Sequence, residues 1–123
     1  MPNELLYPVI AFSPTGWAKE AASIADLTDA SPNDDLRDWQ GLVIYDAAGY
    51  RRVARRAFRL WPRSELGVRL CRLVRHSIHV GFELTEPEPA PLDELKRRVE
   101  SVYGSDPSIG AAGNHRTVIE MCL

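Results

Sequence analysis

The sequence predicts a protein of the α+β class, and three segments indicate it. Residues 75–85 alternate apolar and polar side chains, which is the pattern of a strand with one buried face. Residues 92–103 carry apolar side chains at helical spacing and are followed by Gly104, a common helix stop. Residues 42–50 combine a β-branched run with a turn sequence, which indicates a hairpin. Because 123 residues is the usual size of one domain, we expect residues 1–123 to form a single α+β domain.

The N-terminal third of the chain predicts one strand and two short helices. Residues 5–12 are an apolar run closed by Ser-Pro-Thr-Gly, which is typical of a buried strand followed by a turn. Residues 17–27 have apolar side chains at roughly helical spacing and predict a short N-terminal helix. Ser31 and Pro32 supply a cap and a first helical position, so a second short helix is expected from there towards Trp39.

The segment after the hairpin turn, residues 50–61, is ambiguous on pattern alone. Its apolar residues recur with the helical period, and arginines fill the opposite face. The preceding residues 46–49 place Asp and Gly at the first and fourth positions of a type I turn, which favours a return strand. The next segment, residues 65–73, is undecided between helix and strand.

The C-terminal third predicts a connector, a helix and a short final element. Residues 86–91 contain three prolines and form a stiff extended connector, because each proline disfavours helix in the residue before it. The helix over residues 92–103 has acids in its first turn. Residues 105–113 are expected to be a loop, and residues 117–123 a last strand or helix.

The order of elements over residues 42–103 carries a resemblance to known proteins. The sequence there contains Leu-Val-Ile-Tyr-Asp-Ala-Ala-Gly-Tyr, an arginine-rich segment, Arg-His-Ser-Ile-His-Val-Gly-Phe-Glu-Leu, and Pro-Leu-Asp-Glu-Leu-Lys-Arg-Arg-Val. It resembles small uncharacterised bacterial proteins, some of which are similar to immunity proteins of polymorphic toxin systems. The resemblance implies a curved antiparallel sheet, here of about four strands, with the helix 92–103 packed on one face. It favours a strand for residues 50–60 and supplies no functional residues.

Charge is distributed very unevenly along the chain. The net charge is only −2, yet residues 51–75 contain nine arginines against one glutamate. Residues 20–46 contain seven acids and one arginine, and residues 83–94 contain five acids and no base. Two interpretations remain open: the basic segment contacts a partner, or it lies beside the acidic segments and is neutralised within the fold.

Motifs that carry chemistry are absent from the sequence. It contains no phosphate-binding loop, dinucleotide-binding, zinc-protease, calcium-loop or serine-hydrolase pattern, so we expect no catalysis, no cofactor and no metal. His76 and His79 are three residues apart on a predicted strand, which points them to opposite faces and prevents joint chelation. Two weaker sets are a nucleophile set in the tail and an aspartate cluster for a cation: His115, Glu120 and Cys122, and Asp34, Asp35 and Asp38.

The location expected from the sequence is the cytoplasm. No apolar run reaches the length that a membrane helix needs, and the N-terminus has no secretory pattern, so no membrane partner is expected. Cys71 and Cys122 are far apart and are expected to be reduced and buried.

These observations predict a non-catalytic binding protein that docks an acidic protein partner, in its concrete version an immunity-type inhibitor of a bacterial toxin. The alternative is a small nucleic-acid-binding domain, although the pI near 5.9 is low for one. Arginine and tryptophan are enriched at the residues that dominate protein interfaces. The predicted partner-binding residues, expected to form one contiguous cationic face, are Arg51, Arg52, Arg55, Arg56, Arg59, Trp61 and Arg63.

Overall fold

A computed structural model describes residues 5–33, 36–104 and 114–122 of the chain. These residues form a curled antiparallel sheet with helices packed on it, which confirms the predicted α+β class. In chain order the strands are β1 (Val9–Phe12), β2 (Ala18–Ala21), β3 (Asp29–Ala30), β4 (Val43–Tyr45), β5 (Tyr50–Trp61), β6 (Ile78–Leu84) and β7 (Glu88–Pro89).

The helices of the described residues are α1 (Ile24–Thr28), α2 (Leu36–Trp39), α3 (Glu65–Val74), α4 (Leu92–Tyr103) and α5 (His115–Cys122). Helix α4 has the predicted bounds, and α3 resolves the undecided segment 65–73 as a helix. None of these helices has both the length and the apolar character that crossing a bilayer requires.

The sheet has more strands than the four expected from the sequence. Its main path has the order β2-β1-β4-β5-β6-β3, every pairing is antiparallel, and β7 adds a short pairing to β5. The two edge strands approach each other, because the ammonium group of Lys19 in β2 donates a hydrogen bond to the carbonyl of Asp29 in β3. The sheet therefore curls almost far enough to close.

The concave face of the sheet encloses the larger hydrophobic cluster. Five of its buried positions are alanines: Ala11, Ala21, Ala30, Ala54 and Ala57. Small side chains on the inner face let the strands curve tightly around the larger ones. Leu27 of α1, Trp39 of α2 and Cys71 of α3 complete this cluster, so the three short helices close the open sides of the curl.

The convex face is covered over β1 and β4 by the last two helices. Ile10 and Tyr45 of the sheet are buried against Leu95 of α4 and Ile119 of α5 in a second cluster. The sequence prediction that the helix 92–103 packs on one face of the sheet is confirmed. No residue of β5 or β6 belongs to this second cluster.

The predicted helix over residues 17–27 is wrong in its first half. Residues 18–21 form β2 and pair with β1 in the register Val9↔Ala21, so tertiary pairing overrides the apolar spacing. Helix α1 begins only after Ser23, whose hydroxyl accepts a hydrogen bond from the Asp26 amide at 3.3 Å. The second short helix is found as α2, but residues 34–35 lie outside the described part of the chain.

The C-terminal tail is a helix rather than a strand, and it begins at His115. The connector 86–91 is extended as predicted, and its two central residues form β7 beside β5. The predicted loop 105–113 lies outside the described residues.

The predicted hairpin between β4 and β5 is confirmed. A carboxylate oxygen of Asp46 accepts hydrogen bonds from the amides of Ala48 and Tyr50, both at 3.0 Å. Gly49 has a φ of 92°, a left-handed conformation that other residues rarely adopt. The turn thus sends residues 50–61 back along the sheet as a strand.

Strand β5 is irregular, and this explains its helix-like sequence pattern. Its pairing with β6 shifts register between Ala54 and Arg56 and again between Arg59 and Trp61. Each shift changes the strict alternation of sides by one residue. Ala54 and Ala57 therefore both face the concave core, three residues apart, which mimics helical spacing.

Candidate docking surface

Arg51, the first predicted partner-binding residue, is engaged within the protein. One terminal nitrogen of its guanidinium lies 2.7 Å from both carboxylate oxygens of Glu94, and the other lies 3.0 Å from Glu88. The pair with Glu94 joins β5 to the first turn of α4. Arg51 is thus part of the scaffold rather than a free docking group.

Arg52 and Arg59 also use their guanidinium groups internally. The Nε of Arg52 donates to the carbonyl of Thr85 at 2.9 Å, and the residue is buried. The Nε of Arg59 donates to the carbonyl of Pro62 at 2.6 Å, and a terminal nitrogen lies 3.3 Å from Glu65. Both side chains fix the path of the chain around β5.

The expected single cationic face is therefore not formed. The acidic segment 83–94 supplies three carboxylates that pair with arginines of β5: Glu83, Glu88 and Glu94. The alternative interpretation, neutralisation within the fold, is correct for these pairs. It leaves a smaller set of exposed arginines as candidates.

A row of partly or fully exposed side chains follows the convex side of β5, which α4 and α5 do not cover there. Arg56 places its guanidinium 5.7 Å from the ring centre of Phe58, and Leu60 continues the row with half of its surface exposed. Gly81 of β6 makes room for the Phe58 ring, since a Cβ at Gly81 would lie 2.7 Å from that ring. The missing side chain lets the ring lie across the neighbouring strand.

Trp61 ends this row with 48% of its surface exposed. Arg55 and Arg63 are exposed on either side along the chain, and neither side chain has a hydrogen bond or ion pair among the described residues. We call this set the arginine–tryptophan surface; it comprises Arg55, Arg56, Leu60, Trp61 and Arg63.

The two histidines near Trp61 do not lie on opposite faces as the strand pattern predicts. The ring centre of Trp61 is 5.4 Å from that of His76 and 6.1 Å from that of His79. The alternation rule fails because His76 precedes β6, which begins only at Ile78. Both imidazoles instead flank the indole.

Helix α3 exposes an apolar face that the sequence analysis missed. We call it the leucine ridge; its residues are more than half exposed and are Leu66, Leu70, Leu73 and Val74. Val68 and Cys71, on the opposite side of the helix, are buried in the core. The pattern was obscured because both faces of this helix carry apolar residues.

Two capping hydrogen bonds define the ends of α3, and one packing contact holds it against Pro62, which lies between Trp61 and Arg63 of the arginine–tryptophan surface. The hydroxyl of Ser64 accepts a hydrogen bond from the Gly67 amide at 3.1 Å and caps the helix. Gly67 packs on Pro62, where an added Cβ would lie 2.6 Å from the proline Cβ. At the other end, the amide of His76 donates to the carbonyl of Cys71 at 2.9 Å.

Replacing the cap residue Ser64 with alanine is expected to lower the free energy of unfolding by about 1 kcal/mol, because the Gly67 amide loses its acceptor. Urea denaturation followed by circular dichroism measures the change. Ser101→Ala on the exposed side of α4 is the control and is expected to leave stability nearly unchanged. Equal effects of the two substitutions would contradict the capping role.

A hydrogen-bonded cluster ties the sheet to α4. The hydroxyl of Tyr45 donates to Glu94 at 2.6 Å, on the same carboxylate that Arg51 contacts. The hydrogen bond from Tyr45, together with Arg51, holds the pKa of Glu94 below its ordinary value. Burial, with the bond to Glu94, raises the pKa of Tyr45 to about 12.

Only some members of the two weaker candidate sets are among the described residues. His115 lies against Gly49, while Glu120 accepts a hydrogen bond from Arg116 at 3.0 Å. The side chain of Cys122 and the predicted cluster members Asp34 and Asp35 lie outside the described residues. Within the described ranges, no three potential ligand side chains gather around a metal position.

Comparison of the chain with known proteins found no matching family model, no significantly similar curated protein and no significantly similar solved structure. The resemblance to immunity proteins stays a prediction. The surface chemistry described above is the basis for assigning a function.

Proposed function

We propose that this chain is a non-catalytic binding protein that docks an acidic protein partner through the arginine–tryptophan surface. One observation carries the proposal: the half-exposed indole of Trp61 lies beside Leu60, with Arg55 and Arg63 exposed and unpaired within the described residues. Tryptophan and arginine are the residue types that most often dominate binding energy. The guanidinium fork suits a partner carboxylate.

The remaining arginine of this surface supports the same proposal. Arg56 lies 3.7 Å from Glu83, and both side chains are more than half exposed. An ion pair in such contact with water contributes little, so a partner carboxylate can replace Glu83 at small cost. Complementary charge also speeds encounter and excludes wrong partners.

The concrete form of the proposal is an immunity-type inhibitor whose partner is a bacterial toxin, bound in the cytoplasm. The buried free thiol of Cys71 fits a reducing compartment. The toxin would present carboxylates around an apolar recess that receives Trp61. An inhibitor of this kind acts by binding alone and needs no catalytic residues on the arginine–tryptophan surface.

A nucleic-acid-binding domain is the second candidate, and one observation favours it. Phe58, which Arg56 contacts, and the half-exposed Trp61 lie on the convex side of β5, beyond the part that α4 and α5 cover. Aromatic rings and arginines together can stack bases of a single strand and neutralise its phosphates. The same assay tests both candidates.

The test is retention of proteins from the native host lysate on the immobilised chain. Wild type is compared with R55E/R63E and with R97E/R116E, a control that makes the same charge change on α4 and α5. We expect wild type and control to retain one acidic protein, and the site variant to retain about tenfold less of it. The purified partner should then bind directly, with an affinity that falls as salt rises.

Equal retention by R55E/R63E and wild type would overturn the proposed site. Retained material that disappears after nuclease treatment would reject the acidic protein partner and support the nucleic-acid candidate. Circular dichroism of each variant separates loss of binding from loss of folding.

A further inference from the structure

Large exposed apolar side chains are concentrated in one stretch of the described chain. Six of the eleven large hydrophobic residues that are exposed lie within residues 60–74: two on β5 and the four of the leucine ridge. The ridge residues are 53–79% exposed. Large contiguous apolar patches are rare on proteins that do not bind something there.

The charge around the leucine ridge is strongly positive. Exposed arginines precede, interrupt and follow α3: Arg63, Arg69 and Arg75. Arg72 is instead engaged within the protein, because its Nε donates to the carbonyl of Pro32 at 3.0 Å. The acid of the helix, Glu65, lies 3.3 Å from Arg59, which offsets its charge. This arrangement opposes packing of the ridge on a second copy, because the arginines of both copies would meet. It favours an anionic occupant.

The composition and shape of the leucine ridge favour a lipid surface over a protein as its occupant. Its outward side chains are leucine, valine and arginine, without a neutral hydrogen-bonding group that would specify a protein partner. The ridge is also convex, since its side chains project from one helix. A bilayer needs only apolar side chains that enter the acyl boundary and long cationic side chains that reach the headgroups.

We propose that α3 lays the leucine ridge into the surface of an anionic bilayer. Leu66, Leu70, Leu73 and Val74 enter the interface, while the flanking arginines contact anionic headgroups. The half-exposed Trp61 lies 5.4 Å from the ring of His76, just after the end of α3, and tryptophan is favoured at the membrane interface. This role goes beyond protein docking. It departs from the sequence-based expectation of no membrane partner, which rested on the absence of a membrane-spanning apolar run and of a secretory pattern.

The packing and capping of α3 support the same role. Val68 and Cys71 anchor its inner side in the core, and Ser64 caps its first turn. The ridge is therefore present before any membrane contact and requires no refolding. The cytoplasmic leaflet of cell membranes carries anionic lipids, which suits a cationic surface helix.

Co-sedimentation with vesicles tests the proposal on the full chain. The probes are vesicles of phosphatidylcholine alone and vesicles of equal parts phosphatidylcholine and phosphatidylglycerol. We expect binding to the anionic vesicles about tenfold tighter or more, weakened by salt. The ridge variant L70S/L73S should lose about tenfold in that affinity, whereas the control I24S/V102S, which alters exposed apolar residues elsewhere, should retain it.

Two single charge reversals complete the design. R69E on α3 should weaken vesicle binding, and the control R97E on α4 should not. No binding to anionic vesicles at low salt would overturn the proposal, as would equal losses in ridge and control variants. A wild-type dimer that L70S/L73S dissociates would assign the ridge to self-association instead. Loss of the acidic protein partner by L70S/L73S, with vesicle binding unchanged, would assign it to protein docking.

Discussion

Replacing Leu95 with alanine is expected to lower the free energy of unfolding by about 2–5 kcal/mol, the largest effect among the substitutions considered. Leu95 of α4 is fully buried against the convex face of the sheet, in the cluster that contains Ile10 and Val99. Alanine removes its apolar contacts and leaves a cavity that rigid neighbours fill only in part. Urea denaturation followed by circular dichroism measures the loss.

The matched control for Leu95 is Val102→Ala, on the same helix but partly exposed. We expect that substitution to change stability by about 0.5 kcal/mol or less. A Leu95→Ala protein as stable as the control would contradict the packing of α4 on β1 and β4.

Glu94→Ala is expected to lower the free energy of unfolding by about 2–3 kcal/mol at neutral pH. The carboxylate accepts hydrogen bonds from both the Tyr45 hydroxyl and the Arg51 guanidinium. Its removal leaves the buried Tyr45 without its acceptor and leaves Arg51 with Glu88 alone as carboxylate partner. Glu100→Ala, an exposed acid on the same helix, is the control and is expected to have little effect. Similar losses in the two variants would show that the cluster contributes nothing specific.

The contribution of Glu94 should also depend on pH in one direction. Its pKa in the folded protein is lowered, first by the hydrogen bond from Tyr45 and then by Arg51. Its stabilisation is therefore complete above the ordinary glutamate value of about 4.3 and is lost as pH falls through the lower folded value. The stability difference between wild type and Glu94→Gln should narrow on acidification. A difference that stays constant over that range would contradict the pKa shift.

The parts of the fold that the sequence predicts well are those with strong local signals. The turn before β5 has Asp46 as an internal hydrogen-bond acceptor and Gly49 in a left-handed conformation. Helix α4 combines apolar spacing with Gly104 at its end. Each of these features is determined by neighbours in the chain, so periodicity and turn chemistry were sufficient.

The parts that the sequence did not predict depend on distant partners. Strand β2 is four residues long and exists because β1 lies beside it, which no local pattern of residues 18–21 shows. The register shifts in β5 give the apolar residues of this strand a helix-like spacing. Helix α3 was undecided because its buried Val68 and Cys71 are interleaved with the exposed leucines.

The candidate site was also predictable only in part. The arginine cluster is evident in the sequence, but which arginines pair internally and which are exposed is not. Arg51 pairs with Glu94, which is 43 residues away, whereas Arg55 has no such partner among the described residues. Only the pairing of β5 with its neighbours and the position of α4 determine which arginines reach the surface.

The most direct test of the docking surface is photocrosslinking from Leu60 in native host cells. A photoreactive phenylalanine analogue at this position leaves Trp61 and every arginine in place, and the same analogue at Val102 on α4 is the control. We predict an adduct with one acidic protein from position 60 and none from position 102. An adduct from position 102 alone, or a nucleic-acid adduct from position 60, would contradict it.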